Sequence, residues 1–300
     1  MSTQELLPPS VDPAFKAVLI GGGAPFANGR ELDTHSDLLD AGLGLTGKSK
    51  PNVLLIPSAR WKSEAGVTSI MGRFATYFTG RGLATTTLHP FLYAPHSIES
   101  PSFEDLPLDL SRVPSSDELS TKIGGADYVF TLGGDTNRML NQVWKPLGID
   151  RRLKEAIAER GTVMSGSSAG AVAWFESAQT DGSSLQSDQG NEKTFHVVDG
   201  LDMIHHTIVS PHYDATLADG RSREADFHTL LFERRALGQL GMGIDNFSAI
   251  VCKNGRVKSA VDREALGRKQ IHTINYRDSR KAQHTIDPSD GEISLTKLIQ

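Results

Sequence analysis

The sequence predicts an α/β protein built on a doubly wound, mostly parallel sheet. Three observations lead there: short apolar runs of strand length, helical stretches between them, and a turn residue (Gly, Ser or Pro) closing each run. The runs are Ala17–Ile20, Val53–Ile56, 128–132 and 163–164. Helical spacing is read at 32–43, 66–78, 136–144, 150–160 and 223–237, so strands and helices alternate. That alternation suits parallel strands, which need a crossover between each pair.

In chain order, residues 1–14 read as a tail and 15–300 as a single domain. The first strand runs into Gly21-Gly22-Gly23, but Phe26 stands where a G-x-G-x-x-G fingerprint needs its last glycine and Pro25 interrupts the turn, so a tight loop is expected. The run GLGLTGKS at 42–49 spells the phosphate-loop pattern in the wrong setting. A helix precedes it and a strand follows, the reverse of what a phosphate cradle requires. The later strands end in PSARW, GGDTN and SGSSAGA, and with GGGAP these make four loops at strand carboxyl ends, where open α/β sheets carry their chemistry. Residues 95–120 are rich in Ser, Pro, Asp and Glu and read as a surface insertion. Near the end, SAIVCKN and GRVKSAV flank Asn254-Gly255, the signature of an antiparallel hairpin.

Composition narrows the function. Thirty-one basic against 36 acidic residues leave a formal charge of -5 on 300 residues, which disfavours a nucleic-acid partner. Cys252 is the only cysteine, so no disulfide can form within the chain, and a reducing, cytoplasmic setting is expected. The amino-terminal residues lack a basic start and an apolar stretch, and no run approaches the roughly 18 apolar residues of a membrane span. Ten histidines show no metal-binding spacing, so neither a metal nor another cofactor is expected.

The informative stretch is TVMSGSSAGAVAWFES at 162–177, where Gly166-Ser167-Ser168-Ala169-Gly170 satisfies G-x-S-x-G between a strand and a helix. Small neighbours let the chain turn sharply and expose the hydroxyl of Ser168 beside backbone N–H groups at a helix start. The competing reading is a glycine-rich turn holding three serines by chance.

With that elbow, the loop LGGDT at 132–136 and the segment SPHY at 210–213, the chain resembles peptidase family S51, which includes aspartyl dipeptidase (peptidase E) and cyanophycinase. The resemblance implies a fold similar to class I glutamine amidotransferases. It implies Ser168 as nucleophile, His212 as general base and acid, and the N–H groups of Gly134 and Ala169 as oxyanion donors. For the acid it points to the segment GIDNFSA at 243–249, where Asn246 aligns with the family's carboxylate and Asp245 is its neighbour; Asp181 is a further candidate. Asp245 is the expected third member, since a carboxylate both orients an imidazole and stabilises its charge. Arg223, in Ser222-Arg223-Glu224, resembles the arginine that faces the substrate's aspartate in peptidase E. The implied activity is hydrolysis of small peptides with an acidic amino-terminal residue. The alternatives are a cyanophycinase-like hydrolase of β-aspartyl linkages and a non-catalytic binding protein of the same fold. The expected partner is a small peptide, and a homodimer is allowed.

Overall fold

A computed structural model describes residues 8–22, 36–57, 64–88, 113–180, 195–216, 220–262, 269–277 and 280–299. Its first part runs β1 (Ser10–Val11), β2 (Ala17–Ile20), α1 (Ser36–Leu45), β3 (Val53–Ile56), α2 (Glu64–Thr79) and β4 (Thr85–Thr87). There follow α3 (Ser116–Gly125), β5 (Tyr128–Thr131), a π-helical stretch (Arg138–Trp144), α4 (Lys145–Leu147) and α5 (Ile149–Arg160). Next come β6 (Val163–Ser167), α6 (Ala169–Val172), β7 (Phe175–Thr180), β8 (His196–Asp199), β9 (Ile204–Pro211) and α7 (Arg223–Glu233). The last strands are β10 (Leu240–Ile244), β11 (Ser248–Lys253), β12 (Arg256–Val261), β13 (Ile271–Arg277) and β14 (Arg280–Ile286).

Among the described residues these strands form two sheets, where the sequence predicts one. The first has the order β12-β11-β2-β6-β5-β3-β4. Its strands β2, β6, β5, β3 and β4 are parallel; β11 extends it as the antiparallel neighbour of β2, and β12 pairs antiparallel with β11. The all-apolar runs of β2 and β3 are buried along their whole length, as expected of strands covered on both faces. The second sheet has the order β14-β13-β10-β9-β7-β8, and β1 pairs with β9. It is mixed, with β9 parallel to β7 and β10 and the outer pairs antiparallel.

Two more differences have local causes. Ser10 and Val11 pair with His205 and Ile204, so the stretch expected as a tail contributes a strand, anchored by the buried Val11 and Phe15. The expected insertion gives way to α3 at Ser116, where the Ser115 hydroxyl accepts from the N–H of Glu118 at 3.1 Å and caps the first turn. The rest of that segment, 95–112, lies outside the described residues, as does Asp181. One apolar cluster runs through both sheets, from Leu54 of β3 and Met164 of β6 to Val209 of β9 and Met242 of β10. Among the described residues no helix is long and apolar enough to cross a membrane.

Candidate active site

The site is built where the two sheets meet. β6 lies between β2 and β5, so its carboxyl end emerges beside theirs, with Ser167 opposite Ile20 and Gly166 opposite Thr131. The next residue, Ser168, has φ 53° and ψ -120°, a conformation uncommon for any residue with a side chain. Its own N–H donates to the Ile20 carbonyl at 2.9 Å, and its carbonyl accepts from the N–H groups of Ala171 and Val172 to start α6. The elbow closes only because its flanks are glycines. A Cβ on Gly166 would stand 2.3 Å from the Gly170 carbonyl oxygen, and one on Gly170 equally close to that of Thr131.

His212 arrives from the other sheet, immediately after β9. Its N–H donates to the Gly21 carbonyl at 3.0 Å, and the following Tyr213 N–H donates to Ile244 at 3.1 Å. The backbone is left-handed here too, with φ 51°. The ring lies over Gly22, whose missing side chain makes the space. A Cβ at Gly22 would sit 2.0 Å from the ring carbon Cε1, and its φ of +138° suits glycine. Held in this way, Nε2 of His212 lies 2.8 Å from Ser168 Oγ.

The other ring nitrogen corrects the expectation about the acid. Nδ1 of His212 lies 2.7 Å from Oδ1 of Asn246, not beside Asp245. Asp245 is buried and engaged elsewhere: its carboxylate accepts from the Gln270 N–H at 3.0 Å and lies 3.4 Å from His272 Nε2. The two neighbours face different surroundings because the chain is leaving β10 at this point to enter β11 of the other sheet. Asn246 is itself held. Its N–H and its Nδ2 both donate to Asp214 Oδ1 at 2.8 Å, and the other Asp214 oxygen is paired with the ammonium of Lys269. The result is one line of polar contacts, Ser168–His212–Asn246–Asp214–Lys269.

Of the remaining expected residues, Gly134 and Ala169 belong to the turns on either side of Ser168 in the fold, and Arg223 is tied by its N–H to the Ala215 carbonyl at 3.0 Å, three residues after His212. A Cβ on Gly133 would lie 3.0 Å from Cβ of Ser168, so Gly133, after β5 and next to Gly134, packs against the Ser168 side chain. Ala169 opens α6, and the first N–H of a helix has no carbonyl within the helix to receive it. Arg223 is the first residue of α7, which the Ser222 hydroxyl caps by accepting from the Ala225 N–H at 3.3 Å. Arg223 is only 3% exposed, and its guanidinium lies 4.9 Å from the centre of the Phe195 ring.

Residues 100–260 match the family model described as Peptidase family S51. The chain belongs to that family. The uncharacterized peptidase YgaJ of Bacillus subtilis (strain 168) is 42% identical to the chain over 74 residues, which make up 25% of this chain and 31% of that protein. The chain therefore matches about a third of the length of its curated relative. A crystal structure of a peptidase from an acI-B1 Actinobacterium superposes on the chain with a TM-score of 0.57 at 16% identity, covering 95% of this chain and 97% of that one. At that identity the likeness concerns the fold. A putative peptidase E protein from Listeria monocytogenes EGD-e gives a TM-score of 0.49 at 20% identity, over 82% of this chain and 98% of that one.

Proposed function

We propose that the protein is a serine peptidase that hydrolyses small peptides through an acyl-enzyme on Ser168. The observation that carries this reading is the 2.8 Å contact between Ser168 Oγ and His212 Nε2, made at an elbow whose backbone is strained to present the hydroxyl. A conformation of this kind costs on the order of 1–3 kcal/mol, and a serine with only a packing role has no use for it.

In this mechanism His212 Nε2 takes the hydroxyl proton as Oγ bonds to the scissile carbonyl carbon. The carbonyl oxygen, now negative, is received by the N–H groups of Gly134 and Ala169. The imidazolium then gives its proton to the leaving amine nitrogen as the C–N bond breaks. A water follows the same route in the second half, releasing the acid and restoring Ser168. Arg223 is assigned the acidic side chain of the substrate's amino-terminal residue, since a guanidinium grips a carboxylate through two parallel hydrogen bonds. A cytoplasmic setting is part of this reading.

The test combines a fluorophosphonate probe with a panel of Asp-X, β-Asp-X and Ala-X dipeptides. The expected outcome is a covalent adduct mapped to Ser168, no adduct and no hydrolysis in Ser168→Ala, and an Asp-X preference that Arg223→Lys erodes. An adduct on Ser165 or Ser167 would overturn the nucleophile. Preferential cleavage of β-Asp-X would move the activity to the cyanophycinase type, and an unreactive wild type would favour the non-catalytic binding protein.

A further inference from the structure

The line of contacts beyond His212 passes through a carboxylate that the expected triad does not include, that of Asp214. We infer that Asp214 is the positioning residue of this site: it fixes the amide of Asn246 and, through it, the tautomer of His212. This rests on the reading of Ser168 and His212 as nucleophile and base.

The argument follows from donors and acceptors. An asparagine in the acid's place is ambiguous, because its amide can turn either its oxygen or its NH2 toward a histidine. With the NH2 facing Nδ1, that nitrogen would have to accept, and Nε2 would carry the proton. A protonated Nε2 cannot take one from Ser168. Asp214 removes the ambiguity because an ionised carboxylate only accepts. Its Oδ1 receives both the backbone N–H and Nδ2 of Asn246 at 2.8 Å, which turns the amide oxygen toward His212 Nδ1, 2.7 Å away. Nδ1 then donates and Nε2 is left as the acceptor facing Ser168 Oγ. Lys269, paired with the second carboxylate oxygen, holds Asp214 from the far side. The negative charge that a triad normally sets against the imidazole stands here one residue further out, joined to it by a polarised amide.

The experiment measures fluorophosphonate labelling of the full chain, in which the serine Oγ–P bond forms, the P–F bond breaks, fluoride leaves and His212 takes the hydroxyl proton. Asp214→Ala is expected to lower the maximal labelling rate by about 10- to 100-fold, the usual cost of losing a partner that orients a reacting group. The half-saturating probe concentration should hardly change. Should Asp214→Ala fail to fold, Asp214→Asn has the same shape and carries the test, with slower labelling expected. The exchange variant Asp214→Asn/Asn246→Asp puts the carboxylate directly on Nδ1 and should recover most of the loss, which a merely structural role for Asp214 would not allow. Wild-type labelling rates in folded Asp214→Ala, or an exchange variant as slow as Asp214→Asn, would overturn the inference and leave the Ser168 reading intact. A wild type that does not label at all overturns both.

Discussion

At the scale of single residues, the position of His212 depends on what Gly22 lacks. The ring occupies the volume a side chain would take, and the same loop receives the Phe247 N–H on the Gly22 carbonyl at 2.7 Å. In Gly22→Ala the methyl group has to displace either the ring or the loop, so labelling of Ser168 is expected to fall by about 100-fold or more, the range that general-base catalysis commands. Circular dichroism and the labelling rate, measured on the same sample, separate this outcome from unfolding. The glycine run itself is legible in the sequence, which predicts a tight loop; what the loop makes room for is not, because the occupant lies some 190 residues further on. Ser168 and His212 are legible because each stands in a local pattern. The choice between Asp245 and Asn246 is not, since the two differ only in which way the chain turns as it leaves β10. Asp214, two residues after His212, had one available signal, its place beside the histidine segment, and nothing in that segment says that it reaches Asn246.

Among the elements, α7 shows how a helix is tied down through titratable groups. Phe227 and Leu231 bury its inner face against Ile208, Tyr213 and Ile274, and His228 sits at the edge of that contact. Its Nδ1 lies 3.1 Å from the Tyr276 hydroxyl; Nε2 lies 3.0 Å from both the Tyr213 hydroxyl and the Lys281 ammonium, and 3.6 Å from Glu224. Burial, and then the nearby Lys281 charge, push the His228 pKa below its ordinary value, while Glu224 pulls the other way. The folded state therefore binds this proton more weakly than the unfolded chain does. It follows that the stability contributed here is complete above about pH 6.5, the unfolded value, and is lost as the pH falls from there toward the lower folded value. Denaturant titrations between pH 7.5 and 5 are expected to show this decline in the wild type and a shallower one in His228→Gln. Equal slopes would count against it. At this scale the sequence is readable where one signal dominates. The apolar runs of β2, β3 and β5 are evident, whereas β10, LGMGI, and β8, HVVD, carry too few patterned side chains to announce strands. The start of α3 could have been found, because Ser115 followed three residues later by Glu118 is a capping signature.

Across the whole molecule, the apolar cluster ignores the boundary between the sheets. Trp144 and Trp174 are fully buried in it with ring centres 6.0 Å apart, and Phe15 lies 5.3 Å from Trp174. A core shared in this way should unfold as one unit, so tryptophan fluorescence and far-ultraviolet circular dichroism are expected to trace a single coincident denaturation curve. Two separated transitions would mean that the sheets hold together less firmly than their packing implies. The sequence anticipates the parallel half of this architecture and not its partner, because the chain passes between the sheets at β1–β2, β6–β7, β10–β11 and β12–β13 and no hydrophobic period marks those passages.

The crossing between β10 and β11 gives the site a mechanical character. Ser168 is mounted on one sheet and His212 on the other, so a molecule that engages both works as a clasp across the whole body. Part of its binding free energy goes into holding the halves in register, and by linkage an occupied site resists unfolding throughout the core and not only around the elbow.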